Sequence, residues 1–211
     1  RDRSIRLDHL VVVAASLEAG ARFVEQALGI APGPGRRHPH MGTHNLLLSL
    51  GPSVYLEVAA VDPQAAPIAR PRWFGLDDLT ATSAPRLAAW VADTNDIQSV
   101  ASPELGEVET MRREGRTWQM TVTADGRPPL SGAAPVLIQR SGGAHPAAAL
   151  PESGLRLRAL RICHPAATKV RTLLSNMGLS TQASVSVAFG STCSLVADID
   201  TPSGLRSLGD A

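Results

Sequence analysis

The stretch Ile5-Arg-Leu-Asp-His-Leu-Val-Val-Val13 decides how the fold of this chain is interpreted. Its apolar and β-branched residues predict a buried strand. Ser16 follows as a candidate helix N-cap, and apolar residues then recur at helical spacing as far as Leu28. Gly29 stands where a left-handed C-cap is expected. The chain therefore begins with a strand followed by an amphipathic helix.

The same order of elements occurs again further along the chain. Short strands are predicted at residues 45–50 and 53–61, after a loop over residues 31–43 that is rich in Pro, Gly and His. A second series of strand, helix and strands occupies residues 80–142 and includes a hairpin that turns at Glu114-Gly115. One βαβββ unit forms an open, curved sheet, and a single unit leaves its concave face exposed to water. Two units are therefore expected to pair and enclose a cavity.

These repeats predict an α+β fold in which βαβββ units form curved mixed sheets around a cavity. The core domain is expected over residues 1–142, from one unit at 1–65 and another at 80–142. Residues 143–154 have the composition of a linker. Residues 155–211 are predicted to form a third, shorter βαββ unit packed on the core.

Composition restricts the class of protein. Hydrophobic residues make up 44% of the chain, charged residues 18%, and the formal net charge is +1, which is typical of a globular protein. No basic patch interleaved with aromatic residues indicates nucleic-acid binding, and no glycine-rich motif indicates a nucleotide cofactor. No signal peptide is recognisable and no apolar run approaches a membrane span of ~20 residues. We expect a cytoplasmic monomer or homodimer that binds a small molecule.

Several motifs resemble a known family. Leu7-Asp-His-Leu-Val11, followed by a Ser-Leu-Glu helix start and a Leu-Gly helix end, resembles the first half-unit of the vicinal-oxygen-chelate superfamily, which includes glyoxalases, bleomycin-resistance proteins and dioxygenases. Within it, residues 37–45, Tyr55-Leu-Glu-Val58 and residues 70–75 resemble the glyoxalase-like domain family. The resemblance extends over nearly the whole chain, and it implies a fold more specifically than an activity.

The resemblance also implies a metal site. In the superfamily, a divalent metal is commonly held by ligands on the first and last strands of two units. This implies His9 and Glu57 as metal ligands in the first unit, for Zn, Ni, Fe or Mn, with Glu57 also a candidate catalytic base. In the second unit Ala89 stands opposite His9 and cannot bind metal, and Gln139 offers a weakly ligating carbonyl oxygen. His44 is a candidate replacement for the absent ligand.

His9 and Glu57 have a second interpretation. A charged Glu in the apolar strand Val54-Tyr-Leu-Glu-Val-Ala-Ala-Val61 is costly to bury unless it is paired or ligated. His9 alone would supply such a partner. A buried, hydrogen-bonded His–Glu pair is therefore the alternative to a metal site.

Substrate contacts are predicted from the polar and aromatic residues expected near the cavity. His44 and Asn45 follow a flexible Met-Gly-Thr segment and are placed to contact a substrate. Trp73 and Phe74 are two of very few aromatic residues, and they either plug an open end of the sheet or form a wall of the pocket.

Other charged residues are more ambiguous. Arg113 and Arg116 flank the predicted hairpin turn and are either solvated or bind an anion. A solvated loop accounts for His38 and His40, and His145 is interpreted as structural because it lies in the linker.

Two functions follow from these residues. The first is a metal-assisted isomerase, lyase or dioxygenase that acts on a small oxygenated substrate, with the metal as Lewis acid. The second is a metal-free protein that binds or sequesters a small apolar molecule in the same cavity. The missing ligand at Ala89 and the neutral Gln139 favour the second.

Overall fold

The computed structural model describes residues 4–179 and 184–209, and a large curved sheet occupies its first two thirds. The strands of this sheet are β1 (Ile5–Val13), β2 (Gly33–His38), β3 (Thr43–Ser49), β4 (Tyr55–Val61), β5 (Arg86–Thr94), β6 (Glu107–Arg113), β7 (Arg116–Val122) and β8 (Val136–Arg140). They are ordered β2-β3-β4-β1-β5-β8-β7-β6.

The two halves of the large sheet have the same strand pairing. In the first half β1 runs parallel to β4, and in the second half β5 runs parallel to β8, while the other neighbours within each half are antiparallel. The halves join through the antiparallel pair of β1 and β5. The predicted α+β fold with repeated βαβββ units is confirmed.

The central strand β1 is buried on both faces. Leu10 and Val12 belong to the core on the convex face of the sheet, and Val11 and Val13 belong to an apolar cluster on the concave face. A strand buried on both faces has a continuous apolar sequence rather than an alternating one. This explains why the opening stretch predicted its strand with the correct ends.

Helix α1 (Leu17–Leu28) packs on the convex face of the sheet, and α2 (Ile97–Val100) is its short counterpart in the second half. The hydroxyl of Ser16 accepts a hydrogen bond from the backbone N–H of Ala19 at 3.1 Å, as expected of an N-cap. Gly20 faces the sheet so closely that a Cβ at this position would lie 2.3 Å from Val58 Cγ1. Only glycine therefore allows this approach of α1 to β4.

One predicted loop is partly a strand. Residues 31–43 were expected to be irregular because of their Pro and Gly content, but Gly33–His38 form β2 at the edge of the sheet. An edge strand tolerates proline because one row of its N–H groups has no partner strand. Gly35 is required by packing, since a Cβ there would lie 2.1 Å from Asn45 Oδ1.

The C-terminal part forms a second sheet. It contains β9 (Arg156–His164), β10 (Val185–Phe189), β11 (Ser194–Thr201) and β12 (Gly204–Gly209), in the order β10-β9-β11-β12, with helix α3 (Ala167–Met177). Strand β12 was not predicted. The first strand of this part, β9, lies parallel to β10 and antiparallel to β11, so its pairing differs from that of β1 or β5.

The second sheet packs on the convex side of the first. Leu160, Ile162 and Leu195 share one apolar core with Leu10 and Trp90. The division into a core domain, a linker and a third unit stays a prediction. No helix in the described ranges has the length and apolar character needed to cross a membrane.

Candidate functional site

The concave face of the large sheet surrounds a cavity of about 760 Å³. Its apolar lining includes Leu47, Met120 and Ile138, and most other lining residues are polar, charged or aromatic. The wall residues used below are His9, Arg36, His38, Asn45, Tyr55, Glu57, Trp73, Phe74, Arg113, Arg116, Trp118, Met120, Ile138, Arg140 and His145.

A β-bulge in β1 creates the polar part of this cavity. The pairing of β1 with β5 shifts between Leu7 and His9, so that Asp8 has no partner on β5. Successive side chains of a regular strand point to opposite faces, and a bulge changes that alternation. Asp8 and His9 consequently join the same buried cluster although they are adjacent in sequence.

His9 lies between two carboxylates. Its Nδ1 is 2.6 Å from Asp8 Oδ2, and its Nε2 is 3.2 Å from Glu57 Oε2. The ring also stacks on Tyr55, its neighbour on β4, with ring centroids 4.4 Å apart and planes inclined by 12°. Both ring nitrogens are thus occupied, and the plane of the ring is fixed.

Asp8 connects His9 to more distant parts of the chain. Arg140 at the end of β8 donates to both carboxylate oxygens of Asp8, at 2.5 and 3.0 Å. His145 Nε2 lies 2.6 Å from Asp8 Oδ1, while His145 Nδ1 accepts from the backbone N–H of Ala147. The segment predicted as a linker therefore contributes to the cavity wall through His145.

These contacts shift the pKa values of Asp8, His9 and Glu57. Burial opposes the charged form of Asp8, but hydrogen bonds with His145 and His9 outweigh it and hold the pKa of Asp8 well below its usual range. Burial also favours neutral His9, yet hydrogen bonds with Asp8 and Glu57 raise the pKa of His9. For Glu57, burial would raise the pKa, and the contact with His9 lowers it instead. The cluster therefore favours an imidazolium between two carboxylates.

Four of the predicted site residues line the cavity together with His9. Glu57 contacts His9 directly, and Asn45 lies beside both Glu57 and His38, with its Nδ2 at 3.3 Å from His38 Nε2. Trp73 and Phe74 are buried in the wall. The indole N–H of Trp73 donates to Thr43 Oγ1 at 3.1 Å, which fixes the ring.

Gln139 is not brought together with His9 and Glu57. Its Oε1 accepts a hydrogen bond from the backbone N–H of Ile97 at 2.7 Å, at the start of α2, and Gln139 does not line the cavity. The cavity is lined by its neighbours Ile138 and Arg140, because alternate residues of a strand face opposite sides. Gln139 therefore lies on the face of β8 that points away from the cavity.

His44 lies outside the cavity for the same reason. On β3 the cavity is lined by Asn45 and Leu47. Because successive side chains of a strand point to opposite faces, the side chain of His44 points away from the cavity. Its Nδ1 is 3.9 Å from Asp62 Oδ1. The predictions that His44 replaces a metal ligand and contacts substrate do not agree with this position.

The donor set does not fit a resident divalent metal. A catalytic zinc usually has three protein ligands, whereas His9 and Glu57 supply two. Among the described residues no group of three or more His, Cys, Asp or Glu side chains is placed to hold a metal ion. Moreover, Nε2 of His9 would have to lose its proton to bind a metal. The second half of the sheet adds Ala89 and Arg140 where further donors would be needed.

Positive charge dominates the cavity walls. Of the described residues, four arginines line the cavity and Glu57 is the one carboxylate that does so. His38 lies close to them, with its Nδ1 at 3.0 Å from a terminal nitrogen of Arg113. Burial is the main reason that the pKa of His38 is lowered to about 4, so its imidazole is neutral at pH 7. Arg113 also lies over the ring of Trp118, 5.6 Å from its centroid.

Three residues of the polar cluster were not identified from sequence. Asp8 had a usable signal, since an acidic residue in a buried strand requires a partner. Arg140 and His145 had none, because their contacts with Asp8 span more than 130 positions of sequence.

Several solved structures are similar to this chain. A crystal structure of a hypothetical protein from Staphylococcus aureus is 13% identical, with 90% of this chain and 88% of that chain covered and a TM-score of 0.60. Methylmalonyl-CoA epimerase from Streptomyces coelicolor is 15% identical, with 67% and 98% covered and a TM-score of 0.43. The epimerase from Mycobacterium tuberculosis is 12% identical, with 64% and 88% covered and a TM-score of 0.42.

At this identity, structural likeness describes the fold alone. No curated protein sequence matches the chain. The sequence profile of the glyoxalase-like domain, however, matches residues 7–178, which include both halves of the large sheet. This chain belongs to the glyoxalase-like domain family.

Proposed function

We propose that this protein binds a small organic molecule in the concave cavity and does so without a resident metal. The observation that carries the proposal is the position of His9, whose two ring nitrogens are already occupied by Asp8 and Glu57. Polar groups that satisfy each other stabilise the wall of a binding site without further ligands.

The apolar and aromatic residues of the lining supply the binding energy in this proposal. Trp118 and Met120 line the cavity on β7, and Trp73 and Phe74 lie on the segment that connects the two halves of the sheet. Binding pockets for small molecules are typically apolar, with a few polar groups that orient the ligand. Asn45 and Glu57 are those polar groups here.

The experiment measures thermal stability after removal of metals with EDTA. A neutral aromatic probe, 2-naphthamide, is expected to raise the melting temperature of the chelated protein, whereas Zn, Ni, Mn and Fe salts added to dialysed protein are not. Trp118→Ala should weaken the response to the probe because it removes a cavity wall. Phe189→Ala is the control, since Phe189 is 73% exposed and lies on the second sheet. A response to metals, or a probe response that chelation abolishes, contradicts the proposal.

A second candidate is the metal-assisted isomerase, lyase or dioxygenase that the family resemblance implies. One observation favours it: Nε2 of His9 and Oε2 of Glu57 lie 3.2 Å apart on the cavity wall, with Asp8 hydrogen-bonded to the other ring nitrogen. Metal-bound histidines commonly have such a carboxylate partner. Stoichiometric metal in purified protein, lost in a Glu57→Gln variant, would support this candidate over the first.

A further inference from the structure

The hairpin between β6 and β7 places two arginines, Arg113 and Arg116, directly opposite each other on neighbouring strands. Glu114 and Gly115 both have positive φ, at 49° and 76°. Hairpins with a two-residue connection favour a tight turn of this kind. The register then pairs Arg113 directly with Arg116, and both line the cavity. Like charges directly opposite each other destabilise an antiparallel pair. Repulsion between the two arginines therefore destabilises the protein when no ligand is bound.

Arg113 has no counter-ion among the residues that the structure describes. In the part of the chain that the structure describes, no carboxylate forms an ion pair with Arg113 or Arg116, whereas Arg140 is paired with Asp8. Nε of Arg113 is buried and has no hydrogen-bond partner. Burial and the charges of Arg36 and Arg116 lower the pKa of Arg113, and the carboxylates of Glu114 and Glu57 offset this only in part. A buried donor without a partner is uncommon in folded proteins and requires an explanation.

The surroundings of Arg113 are aromatic as well as cationic. Its guanidinium lies over Trp118, and Met120 follows two residues later on the same face of β7. Trp73 also lines the cavity, and its ring contacts that of His38. A ligand that reaches the arginines would therefore lie against flat apolar surfaces along its length.

We propose that this end of the cavity binds the charged group of an organic anion, held by Arg113 and Arg116, whose planar apolar body lies against Trp118 and Met120. Guanidinium groups match the geometry of carboxylates and phosphates, and hydrogen bonds between such charged partners are the stronger kind. An anion would remove the repulsion between the two arginines. This inference rests on the proposed binding function and names the ligand class.

The test compares two probes of the same shape by isothermal titration calorimetry. 2-Naphthoate carries a carboxylate, and 2-naphthamide is its neutral analogue. We expect wild-type protein to bind the carboxylate at least tenfold more tightly than the amide. Arg113→Met should abolish that advantage and leave the affinity for the amide within about twofold. Raising the salt concentration should weaken binding of the carboxylate alone.

Arg112→Met is the matched control, because Arg112 is exposed on the same strand but does not line the cavity. It should preserve the preference for the carboxylate. Equal affinities of the two probes for the wild type, or the same loss in the Arg112 and Arg113 variants, overturns the inference while the binding function stands. If neither probe binds, the binding function and the inference both fail.

Discussion

The two halves of the large sheet share a strand pattern but differ in chemistry. In the first half, β1, β3 and β4 bring His9, Asn45 and Glu57 to the cavity. In the second half, the cavity lining is apolar at Ile138 and carries arginines such as Arg113. Internal hydrogen bonds join most polar groups of the first half, whereas no carboxylate within the described ranges forms an ion pair with Arg113.

This difference separates what a repeat preserves from what it changes. Strand pairing depends on the alternation of many apolar residues, so both halves retain it. A site depends on a few side chains, and a metal shared between two units needs donors from both. Here the first half supplies two donors and the second half supplies cations, which suits a ligand with negative charge better than a resident divalent metal.

The largest expected effect comes from removing the buried carboxylate on which the first half depends. Asp8→Asn leaves the buried end of Arg140 without its counter-ion and removes one of the two carboxylates that contact His9. Breaking a buried pair from one side costs about 3–5 kcal/mol, so the free energy of unfolding should fall by about this amount. Denaturant unfolding at pH 7 measures it.

Asp93→Asn is the control for this experiment. Asp93 lies on β5 and is half-buried, and burial raises its pKa, so its charged form is not favoured by its surroundings. Its contact with Arg6 is long, at 3.5 Å. The substitution should change the free energy of unfolding by less than about 0.5 kcal/mol. Equal losses in the two variants would mean that Asp8 is not the centre of the cluster.

An intermediate effect distinguishes two histidines of the cavity by pH. The pKa of His38 is lowered from 6.5 to about 4, so below pH 6.5 the unfolded chain takes up a proton that the folded chain does not. Stability is therefore lost as the pH falls, by about 2 kcal/mol between pH 6.5 and 5. His9 has a raised pKa, so its contribution is present below pH 6.5 and is lost as the pH rises through its folded value.

His38→Gln separates the two contributions. Above pH 4.5 the buried carboxylates stay ionised, because the pKa values of Asp8 and Glu57 lie below their ordinary values of 3.8 and 4.5. The variant should therefore lose stability less steeply than the wild type between pH 6.5 and 5, with the fall above pH 6.5 unchanged. Parallel curves in the acidic range would contradict the neutral state assigned to His38.

The smallest expected effect concerns the turn that holds the two arginines. Glu114 adopts φ of 49°, which costs a non-glycine residue roughly 1 kcal/mol and which asparagine tolerates better. Glu114→Asn also removes an exposed ion pair with Arg36, and such pairs contribute little. We expect a gain of about 0.5 kcal/mol in denaturant unfolding. A loss would mean that the ion pair outweighs the turn.

The fold was predictable where one physical signal was strong. Burial of β1 on both faces produced its apolar run, and α1 was bounded by Ser16 and Gly29. Strands β2 and β12 were not predicted, because both lie at sheet edges where few side chains are buried. Composition therefore indicated loop where hydrogen bonds to one neighbour were enough to form a strand.

The candidate site was less predictable than the fold. The sequence indicated His9 and Glu57, but the bulge that turns Asp8 into the same cluster has no local signature. Gln139 was selected as a ligand, but it bonds to the start of α2, whereas Arg140 on the other face of β8 contacts Asp8. Contacts between distant segments, such as that of His145 with Asp8, depend on the folded topology rather than on spacing in the chain.

The central claim is that both ring nitrogens of His9 are bonded to carboxylates, Nδ1 to Asp8 and Nε2 to Glu57, so that neither is free to bind a metal. Long-range proton–nitrogen NMR of protein labelled with ¹⁵N-histidine tests it directly, with the His9 signals assigned through His9→Gln. At pH 6.5 we expect both ring nitrogens of His9 to carry protons, and their resonances to stay in place when Zn is added. An unprotonated Nε2 that shifts with one equivalent of Zn would contradict the account.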